Sequence, residues 1–190
     1  MKKHIALAAL AAATLAAPMM ASAESTVRNG NGDATARLNF RVVVPRVLFL
    51  GVGTGAGNIG DATTRVNTVD RLTFNIPSAD VGNGVGTAAQ VVDVRVKGNS
   101  GQIALAANSG SLGPTNATSD VIPWGDFTMS SSDATNLAVP AVGTSINVAP
   151  DSAGGKLTER VAQWSFSYNN TAAIPAGRYD GQITYTASAP

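Results

Sequence analysis

The sequence predicts an all-β fold, a sandwich of two antiparallel sheets built from about eight or nine strands. Apolar and polar residues alternate in several short segments, which is the pattern of strands with one buried face. Gly, Asn, Ser and Pro separate these segments at close intervals, as they do in hairpin-rich proteins. No segment after residue 23 has the apolar spacing of an amphipathic helix. A charged fraction of only 13% is typical of exported all-β proteins.

The N-terminus has the three parts of an export signal. A positive start at residues 2–4 precedes an apolar run at residues 5–17, and Ala21-Ser22-Ala23 has the small residues of a cleavage site. The apolar run is shorter than the roughly 20 residues of a membrane span, and no second run follows. We therefore expect residues 1–23 to be a signal peptide. The mature chain is expected to have no membrane span and to reside in the periplasm, on the cell surface or outside the cell.

The mature chain is expected to form one domain. Residues 24–34 are polar and predict a flexible leader, whereas residues 35–190 contain all the strand patterns and predict a single β-sandwich. Removal of the two signal-peptide lysines leaves a net charge of about −1. This balance predicts neither a nucleic-acid partner nor an anionic membrane surface as a partner.

The first strand pattern is the clearest one in the chain, and it covers Ala36–Val44. Its apolar face consists of Leu38, Phe40, Val42 and Val44, and its opposite face carries Arg37, Asn39 and Arg41. Pro45 cannot donate to a sheet ladder, so it is expected to end this strand before Val47–Leu50 begins the next. The alternation leaves open whether Ala36–Val44 pairs within its own domain or with another subunit.

Further strands are predicted along the rest of the chain. They cover Arg71–Ile76, Val91–Lys97, Gln102–Ala107, Val121–Met129, a broken strand within Asn136–Ala149, Lys156–Tyr168 and Gly177–Ala187. In the last of these, Tyr179, Ile183 and Tyr185 share one face, and the polar residues between them point away. This face is expected to pack on the core.

The composition excludes most familiar catalytic designs. The chain has no cysteine, and its single histidine, His4, leaves with the signal peptide. The mature protein therefore lacks Ser-His-Asp and Cys-His catalysis and the usual zinc and copper ligands. The remaining carboxylates show no spacing that singles out an acid–base pair. A glycine run at residues 51–60 is not followed by a helical pattern that could bind a phosphate. We expect no enzymatic activity and no cofactor.

Trp124 is the one aromatic residue with two interpretations. Its position beside Pro123 and Gly125 allows it to be exposed in a loop and to stack on a carbohydrate. The simpler interpretation is that it anchors the core of the sandwich. Both interpretations remain open at the level of sequence.

Two segments resemble subunits of bacterial surface fibres of the chaperone–usher class. They are Leu38-Asn-Phe-Arg-Val-Val-Val-Pro45 and Pro175-Ala-Gly-Arg-Tyr-Asp-Gly-Gln-Ile-Thr-Tyr185, and the cysteine-free, alternate-type fimbrial subunits look closest. The resemblance implies an immunoglobulin-like sandwich that lacks one strand, which a neighbour's N-terminal extension supplies. It also implies a periplasmic chaperone that caps the last strand. The chain departs from the pattern by continuing to Pro190 after the apolar alternation.

Two hypotheses follow for the function. In the first, the protein is a structural or adhesive fibre subunit, and Leu38, Phe40, Val42 and Val44 fill a groove on a neighbouring subunit. In the second, it is a monomeric secreted module that binds a glycan or a surface protein through its Gly/Ser/Asn loops. In that case Ala36–Val44 is the first strand of a closed sandwich.

Overall fold

The computed structural model describes residues 25–57, 69–109, 113, 115–151, 154–171 and 174–190. The predicted signal peptide lies outside these residues. The chain divides into two units, Met1–Val44 and Pro45–Pro190. The described part of the first unit, residues 25–44, contains no helix or strand. All regular structure of the described chain therefore belongs to Pro45–Pro190.

The second unit is an antiparallel β-sandwich, which confirms the predicted fold class. The described residues form seven strands rather than the predicted eight or nine. They are β1 (Leu48–Val52), β2 (Gln90–Gly98), β3 (Ile103–Ser109), β4 (Phe127–Ser131), β5 (Ser145–Val148), β6 (Thr158–Tyr168) and β7 (Ile183–Ser188). Three short 3-10 turns, Gly53–Gly57, Ser78–Asp80 and Trp124–Asp126, complete the described regular structure. No helix among the described residues is long and apolar enough to cross a membrane.

One sheet has the strand order of an immunoglobulin-type sandwich, whereas β5 in the other sheet has no counterpart in the seven-strand form of that fold. One sheet has the order β1-β2-β6-β4 and is called sheet A here, and the other has the order β5-β3-β7 and is called sheet B. In chain order, sheet A reproduces the A-B-E-D arrangement of that fold, and β3 and β7 take the places of its C and F strands. The place of the G strand, beside β7, carries no strand in the described part of the chain.

The core lies between the inner faces of the two sheets. Strands β2 and β6 pair over nine residues from Gln90↔Phe166 to Gly98↔Thr158. Their even-numbered residues face inward because side chains alternate along a strand. The inward set includes fully buried Trp164, whose indole N–H donates to the Leu137 carbonyl oxygen at 3.1 Å. The buried cluster consists of Val94, Val96, Ile103, Leu105, Leu137, Val148, Ala162, Trp164 and Phe166.

Two segments that were predicted as strands are not strands in the structure. In Arg71–Ile76 the alternation does turn Leu72 and Phe74 toward the core, but the segment joins no sheet ladder. Ala36–Val44 also has no strand assignment, and its apolar residues are exposed. Alternation reports that one side of an extended segment is apolar, and it does not supply a hydrogen-bonding partner.

Two further predicted strands begin later than the alternation suggested. The segment Val121–Met129 holds buried Ile122, then the turn Trp124–Asp126, and it becomes β4 only at Phe127. The last strand begins at Ile183 rather than Gly177. Tyr179 therefore precedes β7, and its hydroxyl donates to the Pro175 carbonyl oxygen at 2.9 Å. Other backbone hydrogen bonds occupy both places. The Asp126 N–H donates to the Pro123 carbonyl oxygen at 3.0 Å in a local turn, and Asp180 exchanges two backbone bonds of 3.1 Å with Thr115.

Asn99, in the turn between β2 and β3, binds the start of the sandwich unit. Its side-chain amide donates to the Pro45 carbonyl oxygen at 2.8 Å, and its side-chain oxygen accepts from the Val47 N–H at 2.8 Å. Its backbone N–H donates to the Val47 carbonyl oxygen at 3.3 Å. These three bonds hold the chain just before β1. They explain why the compact unit begins at Pro45.

Candidate strand-exchange site

Residues 36–44 expose an alternating row of large apolar side chains. Phe40 and Val42 are each 84% exposed, Val44 is 74% exposed and Leu38 is 60% exposed. Burying one side chain of this size is worth about 1.5–3 kcal/mol, so the row has a strong tendency to find an apolar partner. The four predicted donor residues are therefore available to solvent in the single chain.

Strand β7 offers an edge that can accept another strand. It pairs with β3 on one side, from Ala104↔Ser188 to Ser109↔Ile183. No strand of the described chain pairs with its other side. The N–H and C=O groups along that side can accept the ladder of an incoming chain. Of the residues predicted for the last strand, Ile183 and Tyr185 lie on β7 and face inward, whereas Tyr179 lies outside it.

The inward residues of β7 reach the core without being fully covered. Ile183, Tyr185 and Ala187 are half-buried, whereas the residues between them are exposed. The Tyr185 ring packs against the buried Trp164 ring with 4.9 Å between the ring centroids. The core of the sandwich is thus only partly closed along β7.

Strand β1 lies next to β7 across the two sheets. β1 is an edge strand of sheet A, and its Leu50 and Val52 are half-buried residues that pack on the core. The two strands contact each other, and the Arg46 guanidinium donates to the carbonyl oxygens of Ala189, at 2.6 Å, and Pro190. We call this line, formed by residues 48–52 and 183–188, the β1/β7 edge. It places two unpaired strand edges beside half-buried apolar side chains.

The β1/β7 edge also contains an unsatisfied polar group. The Tyr185 hydroxyl is buried and has no hydrogen-bond partner among the described residues. Burial raises the pKa of Tyr185 to about 12. A buried hydroxyl without a partner costs about 1–3 kcal/mol. A backbone that enters beside β7 brings donors and acceptors that can satisfy such a group.

Trp124 packs as a core residue at one end of the sandwich. Its indole N–H donates to the Ser109 hydroxyl at 3.0 Å, and its ring lies 5.4 Å from the Phe127 ring. Phe127 also contacts Phe74 and Tyr168, with ring centroids 5.8 and 5.3 Å apart. The half-buried Trp124 is therefore one member of a four-ring cluster. This packing favours the core-anchor interpretation over carbohydrate stacking.

The carboxylates of the described chain serve local structure. Glu159, on the outer face of sheet A, pairs with Arg95 at 2.5 Å and with Lys97 at 3.0 Å. These two hydrogen-bonded cations hold the pKa of Glu159 below its usual range. Asp133 accepts from the Asn136 N–H at 3.1 Å and so closes the turn after β4. Glu159 thus belongs to a charge network, and Asp133 belongs to a turn.

Three further carboxylates, those of Asp120, Asp126 and Asp180, also have local partners. Asp126 accepts from the Thr171 hydroxyl at 3.0 Å, and Asp180 pairs with Arg178 at 3.0 Å. Hydrogen bonds from Thr118 and Asn116 lower the pKa of Asp120. Within the described residues, no group of three or more His, Cys, Asp or Glu could hold a metal ion.

Two residues that hold the chain next to the β1/β7 edge, Asn99 and Arg46, were not identified from the sequence. No side-chain role was predicted for Asn99, although its side chain anchors the start of the domain. Arg46 attracted no prediction, although it connects the start of β1 to the end of β7. The signal for Asn99 is its position in Asn-Ser-Gly, since Asn side chains commonly bond to nearby backbone. No local signal announces Arg46 because its partners lie at the other end of the sequence.

Two comparisons with known proteins found no relative of this chain. No protein-family model matches the chain, and the curated proteins contain no similar sequence.

Proposed function

We propose that the protein is an exported subunit of a bacterial surface fibre or adhesive coat. In this proposal, residues 36–44 of one copy add as a strand beside β7 of the next copy. The observation that carries it is the exposed apolar row of residues 36–44, together with a half-buried edge of β7 that pairs with no strand of the described residues. Each copy thus has both a donor segment and an acceptor edge.

The side-chain parity of the two partners is complementary. Leu38, Phe40, Val42 and Val44 occupy every second position, which is the spacing of side chains on one face of a strand. A strand added beside β7 turns its apolar face toward the part of the core that is incompletely covered, where Tyr185 and Ala187 are only half-buried. Main-chain hydrogen bonds then supply affinity, and the alternate apolar side chains supply specificity.

The donor segment precedes the first residues that are anchored to the sandwich. The Asn99 bonds begin at Pro45 and follow directly on Val44. Residues 24–34 are mostly polar, contain two glycines, Gly30 and Gly32, next to two asparagines, and serve as a spacer in this proposal. Pro45 separates the strand that is donated from the strand that the chain keeps.

The proposal includes export and a periplasmic chaperone. An exposed apolar strand and an unpaired sheet edge on the same molecule promote uncontrolled aggregation. A chaperone that covers β7 until assembly would prevent this. The proposed protein is not an enzyme, uses no cofactor and binds no nucleic acid, and its partners are other copies of itself or related subunits.

Assembly of the purified mature chain tests the proposal. The wild-type chain is expected to form ladders of oligomers by size-exclusion chromatography and in mild detergent. The double variant Phe40→Asp/Val42→Asp is expected to stay monomeric because its charges cannot enter an apolar groove. The control is Arg37→Asp/Asn39→Asp, which also adds two acidic groups and changes the net charge by one unit more, but on the opposite face, and it is expected to assemble.

Two outcomes would contradict the proposal. The first is a Phe40→Asp/Val42→Asp chain that assembles as readily as the control. The second is a wild-type chain that stays monomeric at high concentration and binds a glycan through Trp124, which would establish the monomeric binding module instead.

A further inference from the structure

The outer face of sheet B carries no charged residue along its three paired strands. Its outward residues are small and polar or methyl-bearing. They are Ala104, Ala106 and Asn108 on β3, Ser145 and Asn147 on β5, and Thr184, Thr186 and Ser188 on β7. The outer face of sheet A differs, since it carries Asp93, Arg95, Lys97 and Glu159. Sheet B thus presents a flat, uncharged surface.

A shallow depression lies at one end of this face. It has a volume of about 340 Å³ and is lined by Gln102, Ala104, Asn147, Ser188, Ala189 and Pro190. Amide and hydroxyl groups line it together with small apolar groups, and Arg46 donates to the Ala189 carbonyl oxygen at its rim. Such a lining suits a ligand that is rich in hydroxyl groups.

The proposed donor strand would change the charge of this face. When Leu38, Phe40, Val42 and Val44 point toward the core, alternation turns Arg37, Asn39, Arg41 and Val43 outward. The donor strand lies about 4.8 Å from β7, so this row extends the face formed by Thr184, Thr186 and Ser188. Arg37 and Arg41 are four residues apart, which separates them by about 13 Å along the strand. A face that is uncharged in one copy becomes basic in the assembled fibre.

We infer that this composite face, formed only on strand exchange, binds an acidic polysaccharide. The inference rests on the proposed function. Guanidinium groups bind carboxylate and sulfate groups in a bidentate manner. The neighbouring threonine, serine and asparagine side chains can bind sugar hydroxyls, and the small residues let an extended polymer lie close. Along its paired strands the face holds no carboxylate, so it does not repel an anionic ligand. It also holds no aromatic residue on which a nucleic-acid base could stack.

The test compares assembled fractions of the full mature chain on immobilised heparin, a sulfated polysaccharide. The test variant is Arg37→Gln/Arg41→Gln, which retains all four apolar donor residues. The matched control is Arg28→Gln/Arg71→Gln, which removes the same charge from exposed positions outside the donor segment. Size-exclusion chromatography first establishes that all three chains assemble.

We expect the wild-type and control polymers to bind heparin alike, and the Arg37→Gln/Arg41→Gln polymer to bind about tenfold more weakly. Binding of the wild-type polymer is expected to fall as salt is raised. Equal binding by the two double variants would overturn the inference. If the wild-type polymer binds single-stranded DNA as tightly as heparin, and this binding also requires Arg37 and Arg41, the assignment to a polysaccharide would be overturned. A wild-type chain that does not assemble would overturn the proposed function together with this inference. An assembled wild-type polymer that does not bind heparin would overturn this inference alone.

Discussion

Residues 36–44 and strand β6 have the same alternating pattern and opposite environments. In β6 the inward residues Trp164 and Phe166 are 0% and 7% exposed. In the donor segment Phe40 and Val42 are each 84% exposed. β6 has a neighbour on both sides, β2 and β4, whereas residues 36–44 belong to no sheet. An alternating pattern therefore specifies the face that must be buried, and the fold decides which molecule buries it.

The largest expected effect comes from matched truncations in the two segments. Trp164→Ala is expected to destabilise the monomer by about 3–5 kcal/mol, because it opens a cavity in the core. Phe40→Ala is expected to change the stability of the monomer by less than about 0.5 kcal/mol, because its ring is already in water. Urea denaturation of monomeric fractions measures both. A large loss of monomer stability in Phe40→Ala would show that residues 36–44 are buried within their own chain.

The next effect concerns the anchor at the boundary between donor segment and sandwich. Asn99→Ala removes the two side-chain bonds to Pro45 and Val47 and is expected to destabilise the domain by about 1–3 kcal/mol. Asn99→Asp keeps the acceptor for the Val47 N–H and loses the donor to Pro45, so its effect is expected to be smaller. Thermal unfolding compares the two variants. Equal stability of Asn99→Ala and wild type would contradict the anchoring role.

The titration of Tyr185, which lies at the β1/β7 edge, makes the stability of the folded chain depend on pH. The pKa of Tyr185 is raised by burial to about 12, above its ordinary value of 10.0. The unfolded chain therefore loses this proton first, and the stability associated with the neutral phenol is complete below pH 10. That stability declines by about 2 kcal/mol as the pH rises to 12.

Tyr185→Phe removes both the titration and the unsatisfied hydroxyl. It is expected to be at least as stable as wild type at pH 7 and to lose less stability between pH 10 and pH 12. Tyr168→Phe is the comparison variant, because Tyr168 lies away from the β1/β7 edge and has the same kind of hydroxyl. Its hydroxyl is also buried without a partner, and burial, followed by the nearby Asp126 charge, raises its pKa. Identical alkaline profiles for wild type and Tyr185→Phe would contradict this account of Tyr185.

The smallest effect is expected on the outer face of sheet A. Glu159→Gln breaks the pairs with Arg95 and Lys97, which are partly exposed, and is expected to cost less than about 1 kcal/mol. The pKa of Glu159 is lowered in the folded chain, so this contribution is present above its ordinary pKa of 4.5 and disappears as the pH falls below it. Unfolding at pH 7 and pH 3 should differ less for Glu159→Gln than for wild type. If Glu159→Gln destabilised the chain by several kcal/mol, the outer face of sheet A would have to be buried rather than exposed to solvent.

The sequence was sufficient to predict the central part of the fold. Val91–Lys97, Gln102–Ala107 and Lys156–Tyr168 correspond closely to β2, β3 and β6. These strands lie at the centre of their sheets, where alternation and pairing coincide. Arg71–Ile76 shows the limit of the method, because one-sided burial of Leu72 and Phe74 occurs there without a ladder.

The candidate site was predictable from the sequence on the donor side and in part on the acceptor side, since Ile183 and Tyr185 lie on β7 as expected and Tyr179 does not. The alternation of residues 36–44 and the break at Pro45 are local features, so a reading of the sequence can find them. The acceptor side depends on the strand order, which places β1 and β7 together from opposite ends of the chain. The bond from Arg46 to Ala189 spans 143 residues. Such contacts leave no periodic signal in the sequence.

Cysteine cross-linking tests most directly whether residues 36–44 pair with β7 of another copy. The chain has no native cysteine, so any disulfide comes from the introduced residues. Chains with Asn39→Cys, Arg37→Cys or Arg41→Cys are mixed with chains that carry Thr184→Cys, Thr186→Cys or Ser188→Cys. Residues opposite each other in adjacent strands have Cβ atoms about 4.5–5.5 Å apart, which permits a disulfide under oxidation. Thr128→Cys, on the outer face of sheet A, is the control partner.

We predict disulfide-linked heterodimers between one register of donor and β7 cysteines, and none with Thr128→Cys. Formation of the same disulfide only within a single doubly substituted chain, at a rate independent of dilution, would contradict strand exchange.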